Sequence, residues 1–165
     1  MTIISEAALE DFKSVQQIVA VTWPVAYGEI LTKAQLDYMI KTFYSDEALK
    51  SSVLDKGHRF LMAKEDQVSL GFASYEHIVG QRPLTKIHKI YVLPNTQGEG
   101  IGTKLIAAID AIARQNQSQA LALNVNRFNK ALGFYRKLGF RIVGEEDIKL
   151  EHGYLMEDYI MERVL

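Results

Sequence analysis

The chain has 165 residues, 48% of them hydrophobic and 24% charged, with a formal net charge of −1 and no cysteine. That length fits one domain, residues 1–165, able to bury a sizeable core. The near-neutral charge leaves no global basic field to draw it to nucleic acid or a membrane surface. The missing thiols exclude disulfides, thiolate metal ligands and a cysteine nucleophile. Residues 1–15 have neither a basic n-region nor a long apolar segment, so they do not read as a signal peptide. No apolar run reaches membrane-spanning length, and the cytoplasm is the expected location.

Residues 2–5 read as a short first strand. From about residue 9 to 22, Leu9, Phe12, Val15 and Val19 keep helical spacing. Trp23-Pro24 is expected to stop that helix, because the residue before a proline avoids the α region. Thr32 with Gln35 resembles a capping box, and Leu36, Met39, Ile40 and Phe43 form the apolar face of a second helix. A third, short helix is expected over Asp46–Leu54. Residues 59–64 and 68–78 then read as two strands joined by a turn at 65–67, with Val68, Leu70 and Phe72 alternating as in a half-buried strand. Residues 84–93 form the third strand of this run, ending in a continuously apolar stretch that suits a central position. After a glycine-rich turn, Ile101, Leu105, Ala108, Ile109 and Ile112 share one helix face. A strand at 120–125, a helix at 129–138 closed by Gly139, and an antiparallel pair at 140–148 and 154–164 complete the chain. The predicted fold class is α/β, with a mostly antiparallel first half.

Gly98, Gly100 and Gly102 stand where a strand hands over to a helix. Amides at a helix N-terminus attract anions, aided by the helix dipole. Glycine lets the backbone reach positive φ and approach a ligand closely. A tight turn that needs small residues only for packing is the alternative. A Walker loop requires G-x-x-x-x-G-K-[ST], whereas here Thr103 separates Gly102 from Lys104. A dinucleotide fingerprint counted from Gly98 and Gly100 puts Thr103 where glycine or alanine belongs, and the acidic residue expected about twenty positions later is missing. The spacing that fits is Q-x-x-G-x-G, in Gln97, Gly100 and Gly102.

With that spacing the sequence resembles the GNAT acyltransferases, which bind acetyl-CoA. A second resemblance lies in "LNVNRFNKALGFYRKLGF", residues 123–140, with Asn129, Ala131, Tyr135 and Leu138-Gly139-Phe140 in matching places. The order of elements fits the family from first strand to last. Upstream, Trp23, Tyr27 and the helix at 32–45 resemble the polyamine-acetylating branch. The resemblance implies a GNAT fold: a mixed, mostly antiparallel sheet with a splayed parallel pair at its centre, flanked by helices. It implies acetyl-CoA as co-substrate, its pyrophosphate on backbone N–H groups of the Gln97–Thr103 loop: Gln97, Gly98, Glu99, Gly100, Ile101, Gly102 and Thr103. Thr103 would add its hydroxyl, and the strand end at Val92 and Leu93 would pair with the pantetheine amides. Asn124 and Asn129 are placed to bond pantetheine, against a strand-end turn residue and a helix N-cap as their plainer roles.

Acetyl transfer to an amine needs a held thioester, a polarised carbonyl, a deprotonated amine and a protonated thiolate. An alkylamine with a pKa of roughly 10.4 arrives as ammonium, so a base, or a water chain leading to one, must take a proton. A backbone N–H near Val92 or Leu93 could stabilise the oxyanion. Without cysteine, direct attack in a ternary complex is expected. Tyr135 matches the family's tyrosine near the CoA sulfur, where a phenol can protonate the departing thiolate; an aromatic that only packs is the alternative. His88, in the central strand, is the first candidate base, and histidine titrates near neutrality. Glu76, beside His77 at a strand end, is the second and a candidate substrate contact. Tyr91 would line the acceptor site. The resemblance implies that the region of Trp23 and Tyr27 walls the acceptor pocket, where an aromatic wall could hold a cationic amine, against core packing for Trp23. His58 and His152 read as turn residues with no role, and no His-x-His or carboxylate cluster points to a metal. The expected acceptor is a small primary amine, a polyamine being one candidate. A protein N-terminal or lysine acetyltransferase and a non-catalytic acyl-CoA sensor are the rival functions. No nucleic-acid or membrane partner is expected, and the last strand is a candidate homodimer surface.

Overall fold

The computed structural model describes residues 1–96 and 98–165. The elements in chain order are β1 (Ile3–Glu6), α1 (Phe12–Tyr27), α2 (Lys33–Tyr44), α3 (Asp46–Leu54), β2 (Arg59–Glu65), β3 (Val68–Ile78), β4 (Leu84–Val92), α4 (Ile101–Gln115), β5 (Ala120–Asn126), α5 (Ala131–Lys137), β6 (Arg141–Lys149) and β7 (Leu155–Val164). The strands form one sheet in the order β1-β2-β3-β4-β5-β7-β6. Every neighbouring pair is antiparallel except β4 and β5, which run parallel.

Alternation along the strands builds two cores, one on each face of the sheet. Leu61, Ala63, Ala73 and Tyr75 point to the α4 side, where they meet Leu105, Ile106 and Ile109. Phe60, Met62 and Phe72 point the other way, onto Val15, Val19 and Leu49 of α1 and α3. Leu105, Ile106 and Ile109 are fully buried, each contributing roughly 1.5–3 kcal/mol. Their stripe fixes where α4 lies, and so fixes where its N-terminus opens. Thr32 caps α2 by accepting from Gln35 N at 3.2 Å, and Ser45 caps α3 by accepting from Ala48 N at 3.1 Å.

One expectation is corrected. The first helix does not stop at Trp23-Pro24 but runs on to Tyr27, with Gly28 N donating to the Pro24 carbonyl at 3.0 Å. Trp23 is only 4% exposed, and its ring packs 4.8 Å from Tyr27 and 5.5 Å from Tyr44. That packing outweighs the local preference against helix before proline. The last strand, β7, lies between β5 and β6. Its edges pair with β5 and β6, so a homodimer contact on it would use its face; the free edge on this side belongs to β6. Among the described residues no helix is long and apolar enough to cross a membrane.

Candidate active site

The parallel pair parts halfway along. Leu84–Ile87 of β4 pairs with Ala120–Leu123 of β5, yet β4 continues to Val92 and β5 to Asn126. Between the parted ends and the N-terminus of α4 opens a cleft of about 1040 Å³, with Tyr27, His88, Tyr91, Asn124 and Tyr135 on its walls. The register of β4 against β3 shifts there as well. Ser74 faces Lys89 and Tyr75 faces Ile87, which leaves His88 without a partner, the extra residue of a β-bulge. Bulges bend a strand and re-aim a side chain, and this one carries an imidazole to the cleft.

The glycine loop forms one end of the cleft. Gly100, at φ 74°, is the N-cap of α4, and the first helical bond is Lys104 N to Gly100 O at 2.9 Å. The N–H groups of Ile101, Gly102 and Thr103 therefore have no partner within the helix, and the helix dipole adds partial positive charge. The three glycines serve two purposes. At Gly98 (φ 90°) and Gly100 an added Cβ would meet nothing within 4 Å among the described residues, so the requirement there is positive φ. At Gly102 a Cβ would stand 3.1 Å from the Phe134 ring, so the requirement is close packing against α5. Gln97 lies outside the described residues. Glu99 is a correction: its N–H donates to Thr96 O at 3.2 Å and is spent inside the loop.

Leu93 is corrected in the same way, because its N–H donates to Leu70 O at 2.8 Å. Successive N–H groups of a strand point to opposite edges, so the Val92 N–H faces the cleft. Asn124 Nδ2 donates to Asp158 Oδ2 at 3.2 Å. Asp158 is 2% exposed; burial pushes its carboxyl up, against the lowering effect of that hydrogen bond. Asn129 Oδ1 accepts from Ala131 N at 2.9 Å, so its oxygen caps α5, whose helix begins two residues later than the sequence suggested. Tyr135, on α5, is 8% exposed. Burial, reinforced by Tyr27, holds its phenol protonated far above the ordinary range.

At the other end the walls are aromatic. The hydroxyls of Tyr27 and Tyr91 lie 2.9 Å apart, and burial raises both phenols. Trp23 does not reach the cleft: it packs behind this pair, 5.7 Å from Tyr91, as a backing residue. Glu76 also stands back from the cleft, its Oε1 2.9 Å from His88 Nε2. A carboxylate only accepts, so in that bond Nε2 carries the hydrogen and the neutral ring keeps its lone pair on Nδ1. Burial lowers the His88 pKa, with the Glu76 bond opposing.

Three residues escaped the sequence reading. His58 is not a bare turn residue: its ring stacks on His88 at 4.0 Å, 12° from parallel, and burial, with His88 and Lys89 beside it, draws its pKa down to about 4. Lys89 lines the cleft, its Nζ 5.3 Å from the centre of the Tyr44 ring, and burial, then the charge of Lys56, draws its pKa down to about 8. Asp158 is the third. β4 carries Lys86 and Lys89 alike, so charge within the strand did not single out Lys89; His58 and Asp158 gave no signal either.

Comparison with known proteins bears on this geometry. Residues 28–162 match the family model described as an acetyltransferase (GNAT) domain. An uncharacterised N-acetyltransferase of Mycobacterium tuberculosis is 26% identical over 158 residues, covering 95% of this chain and 99% of that protein. The Bacillus subtilis N-acetyltransferase YuaI, also uncharacterised, is 24% identical over 152 residues, 91% of this chain and 86% of its own. Among solved structures, the PaiA N-acetyltransferase of Thermoplasma acidophilum in complex with coenzyme A superimposes with a TM-score of 0.81 at 21% identity, over 100% of this chain and 99% of that one.

Proposed function

This chain belongs to the GNAT acetyltransferases, and from that premise we propose that it transfers the acetyl group of acetyl-CoA to a primary amine of a small molecule, by direct attack in a ternary complex. The observation that carries the donor half is the set of N–H groups at the α4 N-terminus that have no partner within the helix, opening into the gap between β4 and β5. Ile101, Gly102 and Thr103 hold the pyrophosphate through backbone N–H groups, as helix N-termini hold phosphates. Pantetheine lies along the open edge of β4, within reach of the Asn124 and Asn129 amides. The Val92 N–H donates to the oxyanion that forms as the amine attacks. His88 takes the proton of the incoming ammonium on Nδ1, and Glu76 holds the ring in the tautomer that leaves this nitrogen free. Tyr135 donates its phenolic proton to the departing thiolate.

Tyr27 and Tyr91 bound the acceptor pocket, and their hydroxyls orient the amine. A polyamine is one candidate acceptor. Lys89 lines the same cleft, and a cation there repels a polycation while suiting an amine that also carries an anionic group. The test is a panel of polyamines, simple alkylamines and amino acids, read by release of free CoA. Turnover with any primary amine supports the transfer, and its rank order names the acceptor class. Coenzyme A binding with no turnover across the panel, and turnover instead on a peptide N-terminus, would overturn the small-molecule reading.

A further inference from the structure

Behind the cleft wall three side chains from neighbouring segments converge. His58 immediately precedes β2, Glu76 lies on β3, and His88 is the bulged residue of β4. Their donor atoms all lie within 4.8 Å of one another. Glu76 Oε1 stands 2.9 Å from His88 Nε2 and 3.6 Å from His58 Nε2. Two ligands of a tetrahedral zinc, each at its usual bond length, are about 3.4 Å apart. The two carboxylate separations bracket that value.

We propose that His58, Glu76 and His88 form a zinc-binding site at the edge of the acetyl-transfer cleft. A hydrogen-bonded pair of His88 and Glu76 leaves His58 unexplained. That ring is buried, its Nδ1 has no hydrogen-bond partner among the described residues, and its Nε2 has only the Glu76 oxygen at 3.6 Å. Ligation of an ion by Nε2 gives that nitrogen a close partner in place of the distant carboxylate, and Nδ1 keeps the ring hydrogen. Two imidazoles and one carboxylate are a borderline donor set that suits zinc and not magnesium or calcium, which take oxygen ligands. The anchors are firm: His58 N donates to Ser52 O at 2.9 Å, and the bulge fixes the backbone at His88. Only the two stacked rings must tilt so that their Nε2 atoms converge. The fourth coordination position takes water.

Binding releases the His88 Nε2 proton to solvent and replaces the hydrogen bond to Glu76 with a bond to the metal. A ring ligated at Nε2 resists taking a second proton at Nδ1, so zinc slows transfer. This last consequence rests on His88 acting as the base; the binding itself does not.

The experiment uses full-length protein stripped with a chelator and dialysed, with no acetyl-CoA present. Cobalt(II) is titrated first, followed by its visible absorption, then zinc by calorimetry. The expected result is one ion per chain, the intense absorption of tetrahedral cobalt, and displacement of cobalt by zinc. His58→Ala and Glu76→Gln should each weaken zinc binding by more than about 100-fold, since even outer-shell changes weaken metal sites by up to that factor. Zinc should inhibit wild-type turnover and leave the turnover of His58→Ala at its own zinc-free rate. No ion bound by the wild type, or zinc affinity unchanged in both variants, overturns the site; the wild-type cobalt spectrum decides the matter even where a variant fails to fold. Ligand-dependent zinc binding without inhibition upholds the site and removes His88 from the base role.

Discussion

At the α4 end of the cleft, the groups proposed to meet the donor belong to the backbone: the N–H groups of Ile101, Gly102 and Thr103, and of Val92 on β4. At the β4 bulge they are side chains, His88, Lys89, Tyr27 and Tyr91, brought together from helix and sheet. The two ends answer to different constraints. A backbone cradle tolerates many side chains but fixes φ and bulk at particular glycines. A side-chain wall tolerates backbone variation but depends on which residues meet across distant segments. A substitution at the first end should remove binding of the donor altogether, and substitutions at the second should sort into effects on turnover and effects on the acceptor.

The largest expected effect is therefore at Gly100. Its φ of 74° is a region that a β-branched residue resists, and a valine side chain there would project into the open space proposed to take the pyrophosphate. CoA at about 100 times its dissociation constant should stabilise the wild type by roughly 2.7 kcal/mol, seen as a rise in Tm. Gly100→Val should show no rise. A folded Gly100→Val that still responds to CoA would mean that the cradle is not at this helix end, and the contrast between the two ends would collapse.

The next effect belongs to His88. His88→Gln keeps a polar side chain beside Glu76 and removes the titrating ring. Acid–base groups contribute about 10²–10⁴-fold, so kcat should fall by about a thousandfold while CoA still raises Tm as in the wild type. Near-normal turnover would pass the base role to Lys89 or to a water chain. Below it stands Tyr135. Tyr135→Phe keeps the ring that packs 6.0 Å from Phe140 and removes only the proton donor. A thiol is a good leaving group, so the loss in kcat should sit at the low end, about a hundredfold, with calorimetric affinity for acetyl-CoA unchanged. Wild-type turnover with chemistry rate-limiting would leave Tyr135 as a packing residue.

The same contrast governs what the sequence revealed. The glycine spacing and the 123–140 stretch carried the family and the fold, because backbone requirements leave marks at fixed offsets along one segment. Strand ends came within a residue or so of those observed, since apolar alternation follows burial. The acceptor end left no such marks. The bulge that makes His88 the unpaired residue depends on how β3 and β4 settle against each other, and neither strand encodes it alone. His58 meets Glu76 and His88 only because three segments separated in sequence lie side by side. Trp23 had two readings, a pocket wall by resemblance and core packing; four residues along a helix share a side without sharing a depth, and the tryptophan is the buried one. The N–H groups of Leu93, at the strand end, and Glu99, in the glycine loop, are consumed by Leu70 and Thr96, partners no local pattern indicates.

The smallest expected effect is at Tyr27, and it tests whether the acceptor end is a binding wall separate from the chemistry. Tyr27→Phe keeps the aromatic contact with Trp23 at 4.8 Å and removes the hydroxyl bonded to Tyr91 at 2.9 Å. One hydrogen bond contributes a net 0.5–1.5 kcal/mol or so, equivalent to between about twofold and tenfold in an equilibrium constant. Tyr91 stays in the cleft wall, where water can take the place of the lost partner, so the fold should be little affected. If the two hydroxyls orient the amine, the loss should fall on the KM for the amine, by about threefold, with kcat and the KM for acetyl-CoA near wild type. That pattern marks binding made equally in ground and transition states. Equal rises in both KM values would show that the hydroxyl pair braces the whole cleft, joining the ends that the structure keeps apart. Unchanged kinetics for both substrates would place the acceptor beyond Tyr27, toward Lys89. Steady-state kinetics with both substrates varied separates the three outcomes, and a fall in kcat alone would move Tyr27 into the proton path beside Tyr135, whose phenol it already influences.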